Sequence, residues 1–157
     1  MKKKNIFIAH HHNDQKWIEP LKSKLGRSYE VRDSSIDESK PNNASNPDYI
    51  KREYLRPGID WAGKLIVLVS KNTKDSNPEC GVDWEVEYAN KKGYPITAVY
   101  VPGATENDLT PSLRDYADNF VKWDNSAGLV GALAGSIISQ GSDGGPRPAV
   151  LGGGIAC

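Results

Sequence analysis

The chain has 157 residues, 25% of them charged and 38% hydrophobic, the balance of one soluble globular domain with a proper core. Twenty basic residues offset twenty acidic ones, so no global charge argues for nucleic acid or a membrane surface as the main partner. No apolar run approaches the roughly 20 residues of a membrane span.

Lys2-Lys3-Lys4 reads as a solvated N-terminus and leads straight into the strand-like Asn5-Ile6-Phe7-Ile8-Ala9, with no signal-peptide pattern. His10-His11-His12 follows. Three adjacent histidines cannot all point one way from an extended segment, although His10 and His12 would share a face in strand geometry. No cysteine or acidic ligand cluster lies close by in sequence. The run therefore reads as a loop that contacts phosphate or ribose, or as plain surface, rather than as a metal site. Asp14 is placed to cap a helix carrying Trp17, Leu21 and Leu25 at helical spacing, and Gly26 to stop it. Tyr29-Glu30-Val31-Arg32 is a second, weaker strand. Asp33 to Asn46 is polar and predicts a loop of a length often tied to function. Asn46-Pro47-Asp48 starts a helix with Tyr49, Ile50 and Tyr54 facing inward. Pro57-Gly58 is expected to break it, leaving Ile59-Asp60-Trp61 as a turn or a short extra helix.

Leu65-Ile66-Val67-Leu68-Val69 is the most hydrophobic strand and is expected at the centre of the sheet. A polar loop from Ser70 to Glu79 precedes the helical stretch Gly81 to Ala89. On that helix Val82, Val86 and Ala89 form one apolar face. Glu85 lies roughly 60° from its centre and Glu87 about 140° away, so Glu87 faces solvent and Glu85 borders the core. A carboxylate at such a border needs a task or a Lys or Arg partner. Trp61 and Trp84 flank the strand and its loop; aromatics there usually pack, but Trp84 on the outer side of the helix leaves interface or stacking roles open. Ile96 to Val101 is the next strand, ended by Pro102-Gly103. Leu109 to Ala117 is helical in part, Asn119 to Trp123 is a fifth strand, and Ala127 to Ile138 is the last helix. From Gly141 the composition shifts to Gly, Pro and Ser, which divides the chain into a domain over 1–140 and a tail over 141–157.

Five β-patterns alternating with helical patterns predict an α/β fold: a parallel sheet with helices on both faces. Ligands bind such sheets beyond the carboxyl ends of the strands, near the switch in strand order. The loops His10 to Asn13, Asp33 to Asn46, Ser70 to Asp83 and Pro102 to Asn107 reach that edge. There is no G-x-G-x-x-G after the first strand, no Walker A motif and no G-x-S-x-G elbow, which disfavours a conventional dinucleotide dehydrogenase, a P-loop NTPase and an α/β-hydrolase. Cys80 and Cys157 fit no metal or redox spacing, and a reducing cytoplasmic setting is the simple inference. A helix N-terminus could activate the Cys80 thiol, but no histidine follows it in sequence.

Four segments together resemble the Toll/interleukin-1 receptor (TIR) domain in its bacterial TIR-like form, including the TIR subunits of Thoeris anti-phage systems. They are Ile6-Phe7-Ile8-Ala9-His10 with Asp14, the loop Asp33 to Asn46 where the family's BB loop lies, Asp60-Trp61-Ala62-Gly63-Lys64 running into the central strand and Ser70, and Val82-Asp83-Trp84-Glu85-Val86-Glu87-Tyr88-Ala89 with Lys92-Gly93-Tyr94-Pro95-Ile96. The match spans about Asn5 to Trp123 and implies a flavodoxin-like three-layer fold with a five-stranded parallel sheet. Catalytic TIR domains cleave NAD at the nicotinamide–ribose bond with one glutamate at the start of this helix, which maps to Glu85. An ionised carboxylate there would stabilise the oxocarbenium-like ribosyl centre. The reference pKa of about 4.3 implies an ionised Glu85 at neutral pH unless burial raises it.

The resemblance further implies that His10, His11 and Asp14 hold ribose or phosphate, that Trp84 and Trp61 support or stack, and that Asp37 and Glu38 gate the site or meet a neighbouring subunit. The small hydroxyl residue common after the first strand is replaced here by Ala9 or His10. NAD is then the substrate, with no cofactor or metal. The product is ADP-ribose, a cyclic isomer or a conjugate that activates a separate effector, and activity depends on self-association. Val150, Leu151 and Ile155 of the tail are expected to dock on a neighbour or partner. A non-catalytic TIR adaptor and a flavin-binding flavodoxin-like protein are the competing expectations.

Overall fold

The computed structural model describes residues 4–33, 55–75 and 81–145. Five parallel strands form one sheet: β1 (Lys4–Ala9), β2 (Tyr29–Asp33), β3 (Leu65–Val69), β4 (Ile96–Tyr100) and β5 (Asn119–Lys122). Their spatial order is β2-β1-β3-β4-β5, so the order switches between β1 and β3. The hydrophobicity of each strand matches its place. Every residue of β3 and β4 is buried, as central strands covered on both sides require, while the edge strand β2 alternates half-buried and exposed positions. Fully burying one Leu, Ile or Val is worth about 1.5–3 kcal/mol, so this apolar centre dominates the stability of the sheet.

The helices among the described residues are α1 (Ile18–Leu25), α2 (Arg56–Ala62), α3 (Val82–Lys92), α4 (Pro111–Tyr116) and α5 (Ser126–Leu133). α1 packs with α5, and α3 with α2 and α4, giving one helical layer on each side of the sheet. α3 has Asp83 and Glu85 in its first turn and Lys91 and Lys92 in its last, which complements the helix dipole. It ends at Gly93, whose φ of 79° is a left-handed cap suited to glycine.

One local expectation is met in part and one is corrected. The short extra helix expected around Ile59-Asp60-Trp61 is α2, and Pro57 occupies its first turn, where its missing N–H has no intrahelical partner to lose; the helix expected to end at Pro57-Gly58 lies outside the described residues. Gly58 lies inside α2 because a Cβ there would stand 2.6 Å from the Phe7 ring, so only glycine lets α2 lie against β1. The last helix stops at Leu133 instead of Ile138. The chain turns at Gly135 and runs back beside β5, with Phe120 N–H donating to Ile138 O and Gln140 N–H to Phe120 O, both at 2.8 Å.

The first part of the expected tail is held in place. Ser142 donates its N–H and its hydroxyl to the Glu106 carboxylate, and Gly141 N–H donates to Gly145 O at 2.7 Å. The helix expected from Asn46, most of the Asp33 to Asn46 loop and the tail from residue 146 lie outside the described residues.

Candidate active site

Glu85 stands on the first turn of α3, immediately beyond the loop that leaves the carboxyl end of β3. Val82, Val86 and Ala89 are wholly buried on the inner face of the helix, and Glu87 is exposed, as the periodicity requires. Glu85 itself is only 1% exposed, deeper than a border position. Its Oε2 has no hydrogen-bond partner among the described residues. Burial, and after it the negative charge of Asp33, push its pKa well above the usual carboxylate range. The ionised Glu85 implied by the reference value is therefore disfavoured in this state, because burial removes water and the charge that acts on it, Asp33, is negative.

α3 is anchored on both flanks. Asp60 accepts hydrogen bonds from Tyr88 Oη and Tyr94 Oη, both at 2.8 Å, tying α2 to α3 and to the turn that follows it. Burial, then the bond to Asp60, pushes the Tyr88 phenol up to about 12. Asp83 accepts from Ser112 Oγ at 2.5 Å, fastening the first turn of α3 to α4. Glu85 is thus held on a braced helix.

The first loop reaches the same edge from β1. The chain leaves extended geometry at His12 and enters a short 3-10 turn over His12–Trp17. His10 and His12 consequently do not share a face: His10 is buried and His12 is exposed, stacked on His11 with ring centres 4.2 Å apart. The His10 ring lies with Nδ1 2.8 Å from the His11 carbonyl, which can only accept, so Nδ1 carries a proton. Nε2 then points toward Asp33 Oδ1, 3.5 Å away at the end of β2. His11 caps the turn, its Nδ1 accepting from Asn13 N–H at 3.0 Å. Burial, followed by the neighbouring His12, lowers its pKa, which agrees with an unprotonated acceptor.

Asp14 does not cap α1, which begins four residues later at Ile18. It is 1% exposed and bridges the two loops across the switch point, accepting from Ser70 Oγ at 2.5 Å and Asn72 Nδ2 at 2.9 Å. Ser70 Oγ in turn accepts from Asn72 N–H at 2.9 Å. Asp14 thereby shapes the wall of the site.

Trp84 stands apart from this group. It stacks on Tyr88 with ring centres 5.3 Å apart, under the Arg56 guanidinium, in an open groove that also includes Glu87, Lys91 and Lys92. Trp61 carries the Arg32 guanidinium over its ring at 4.2 Å. Asp37, Glu38, Cys80 and Cys157 lie outside the described residues. Among the described residues no cluster of three or more His, Cys, Asp or Glu is arranged to hold a metal ion, and no helix is long and apolar enough to cross a membrane. Sequence reasoning missed Asp33, Ser70 and Asn72 as site residues. Asp33 and Ser70 mark the carboxyl ends of β2 and β3, a positional signal that strand patterns already carry.

The model of the TIR-like domain of the Thoeris protein ThsB matches residues 7–106, from β1 through β4 and into the loop beyond. No curated protein matches the chain. Among solved structures, the fold resembles a 2-deoxyribosyltransferase from the psychrotolerant bacterium Bacillus psychrosaccharolyticus, with a TM-score of 0.60 and 13% identity over 93% of this chain and 99% of that one. A conserved protein from Enterococcus faecalis V583 aligns over 65% of this chain and 66% of its own, at 16% identity and a TM-score of 0.43.

Proposed function

The chain belongs to the TIR-like domain family of the Thoeris anti-phage protein ThsB, and we propose that it serves that defence by cleaving NAD at the nicotinamide–ribose bond, with Glu85 as the catalytic carboxylate. The observation that carries this reading is a fully buried glutamate, one oxygen without a hydrogen-bond partner among the described residues, at the switch point of a parallel sheet.

The nicotinamide of NAD carries a positive charge on the ring nitrogen bonded to ribose. That nitrogen leaves with the bonding pair as neutral nicotinamide, so departure needs no proton from the protein. The positive charge passes to the ribosyl C1′ as an oxocarbenium-like centre. A cationic ring seated beside Glu85 adds a positive charge next to its carboxyl, so substrate binding favours release of the Glu85 proton. The resulting carboxylate then faces developing positive charge in a dry, low-dielectric pocket, where electrostatic stabilisation is strongest. His10 lies beside Asp33, and Asp14 holds the loop wall against which ribose and phosphate are bound.

The acceptor at C1′ decides the product. Water gives ADP-ribose, whereas an adenine or ribose group of the same molecule gives a cyclic isomer and a separate small acceptor gives a conjugate. The Thoeris membership favours a nucleotide signal that reaches a separate effector, and self-association that completes or activates the site. Mass spectrometry of nucleotides from phage-infected cells tests this. A new ADP-ribose-derived species is expected with the wild-type chain and is expected to be missing with Glu85→Gln. The same nucleotide profile in both strains, alongside intact defence, would favour an adaptor that works by assembly alone.

A further inference from the structure

The outer sides of α2 and α3 form an open groove of about 700 Å³, lined by Arg56, Trp84, Glu87, Tyr88, Lys91 and Lys92. Helical spacing builds it. Trp84, Tyr88 and Lys92 follow one another at intervals of four along α3, and Glu87 and Lys91 form the neighbouring stripe. Trp84 and Tyr88 are half-buried and stack at 5.3 Å with their planes 14° apart. The Arg56 guanidinium stands over Trp84 at 6.0 Å, and the Lys92 ammonium over Tyr88 at 5.8 Å. Cation–π attraction thus holds two positive heads at set places on an aromatic wall. Three cations meet one carboxylate in this lining. Arg56, Lys91 and Lys92 make no ion pair among the described residues, and Glu87 and Lys91 stand four apart without pairing. Asp60, behind Tyr88, already accepts from the phenols of Tyr88 and Tyr94. The lining residues therefore carry a surplus of two positive charges. The negative end of the α3 dipole offsets about half a charge and leaves the surplus positive.

We propose that this groove is a second binding site, and that its ligand is a small molecule bearing a diphosphate. Its volume falls within the range of about 300–1,000 Å³ typical of small-molecule sites. A diphosphate linkage carries two negative charges in a compact unit, which matches the surplus. The planar Arg56 fork suits bidentate contact with phosphate oxygens, and Lys91 and Lys92 act as point charges. The Trp84–Tyr88 wall offers apolar contact to the group that carries the diphosphate. A run of carboxylates in a partner protein spreads the same charge along about 3.3 Å per residue, a poorer match to cations gathered around one stack. Glu85 is turned inward from the same helix, so the groove and the buried carboxylate are separate places. Occupancy of one does not require cleavage of NAD at the other.

The test is calorimetric titration of the full chain with inorganic pyrophosphate at about 0.15 M salt, where screening suppresses diffuse attraction. Saturable binding with a Kd below about 1 mM is expected. Arg56→Ala should weaken it at least about 10-fold, as loss of a charge-assisted bidentate contact does. Arg56→Lys, which keeps the charge and loses the fork, should give an intermediate loss. Lys24→Ala removes a positive charge over a different ring, that of Trp123, and should leave the affinity within about two-fold. Urea midpoints of all variants are measured alongside, and Arg56→Lys carries the comparison if Arg56→Ala is unfolded. Absence of saturable pyrophosphate binding by the wild type overturns the proposal, as does an equal loss in Lys24→Ala, which would mark a diffuse charge effect. A hexaglutamate peptide or a single-stranded oligonucleotide that binds at least about 10-fold more tightly than pyrophosphate, with the same sensitivity to Arg56, would overturn the small-molecule class in favour of a macromolecular partner. ADP with the affinity of pyrophosphate assigns the diphosphate alone as the recognised group, and tighter ADP binding that Arg56→Ala removes assigns its nucleoside as well.

Discussion

Glu85 is the residue whose protonation the whole site controls. Its folded pKa is raised by burial and then by Asp33, while in the unfolded chain it returns to about 4.3. The folded state therefore keeps a proton that the unfolded state releases. This contribution to stability is fully present below about pH 4.3 and is lost as pH rises through the folded value. Glu85→Gln stays neutral at every pH, so its stability advantage over wild type should grow from about pH 5 to about pH 8 in denaturant unfolding curves. Parallel pH profiles for the two proteins would contradict the buried acid.

A second prediction belongs to Asp14. Asp14→Ala strands the Ser70 hydroxyl and the Asn72 amide at a buried junction, and should cost about 1–3 kcal/mol in unfolding free energy. An unchanged melting temperature would mean that the two loops are not clamped there. Helical periodicity made the choice between Glu85 and Glu87 legible in the sequence, because it separates inner from outer positions on one helix. The protonation of Glu85 was not legible, since it depends on a charge contributed by β2 and on water excluded by the tertiary fold. Asp14 similarly reads as a cap from sequence, and only the folded chain brings Ser70 and Asn72 to it.

At the scale of elements, the site depends on how α2 and α3 sit against the sheet. Gly58 permits α2 to touch Phe7 of β1, and α2 then presents Asp60 to Tyr88 and Tyr94. Gly58→Ala should force that contact apart and destabilise the fold by about 1–3 kcal/mol, seen as a lower midpoint in urea unfolding. An unchanged midpoint would show that Phe7 can move aside freely. The demand for glycine at position 58 is not legible in a linear reading, because the closeness of Phe7 is a tertiary fact. The strands were legible nearly to the residue, since β3 and β4 are continuous apolar runs with no helical period. The run Ala127 to Ile138 reads as one helix because its apolar content continues past Gly135, where the chain instead turns to pair with β5.

At the scale of the molecule, alternating strand and helix patterns determine the three-layer architecture, and the switch between β1 and β3 determines where chemistry collects. The residue identities alone do not reveal that the segment 138–142 closes the β5 edge. That closure rests on Gln140, which accepts from Lys122 N–H at 2.9 Å, and on the Ser142 contact with Glu106. Glu106→Ala should release Ser142 and loosen this edge, raising amide exchange at Phe120 and Gln140 while leaving β1 and β3 protected. Unchanged exchange at both amides would show that strand pairing holds the segment without Glu106.

The most direct measurement is chromatography of purified protein incubated with NAD, wild type against Glu85→Gln, over a series of protein concentrations. Nicotinamide release by the wild type, with specific activity rising as concentration increases, and loss of at least about 100-fold in the variant is the predicted result. Equal turnover by Glu85→Gln would contradict the assignment of Glu85 as the catalytic carboxylate.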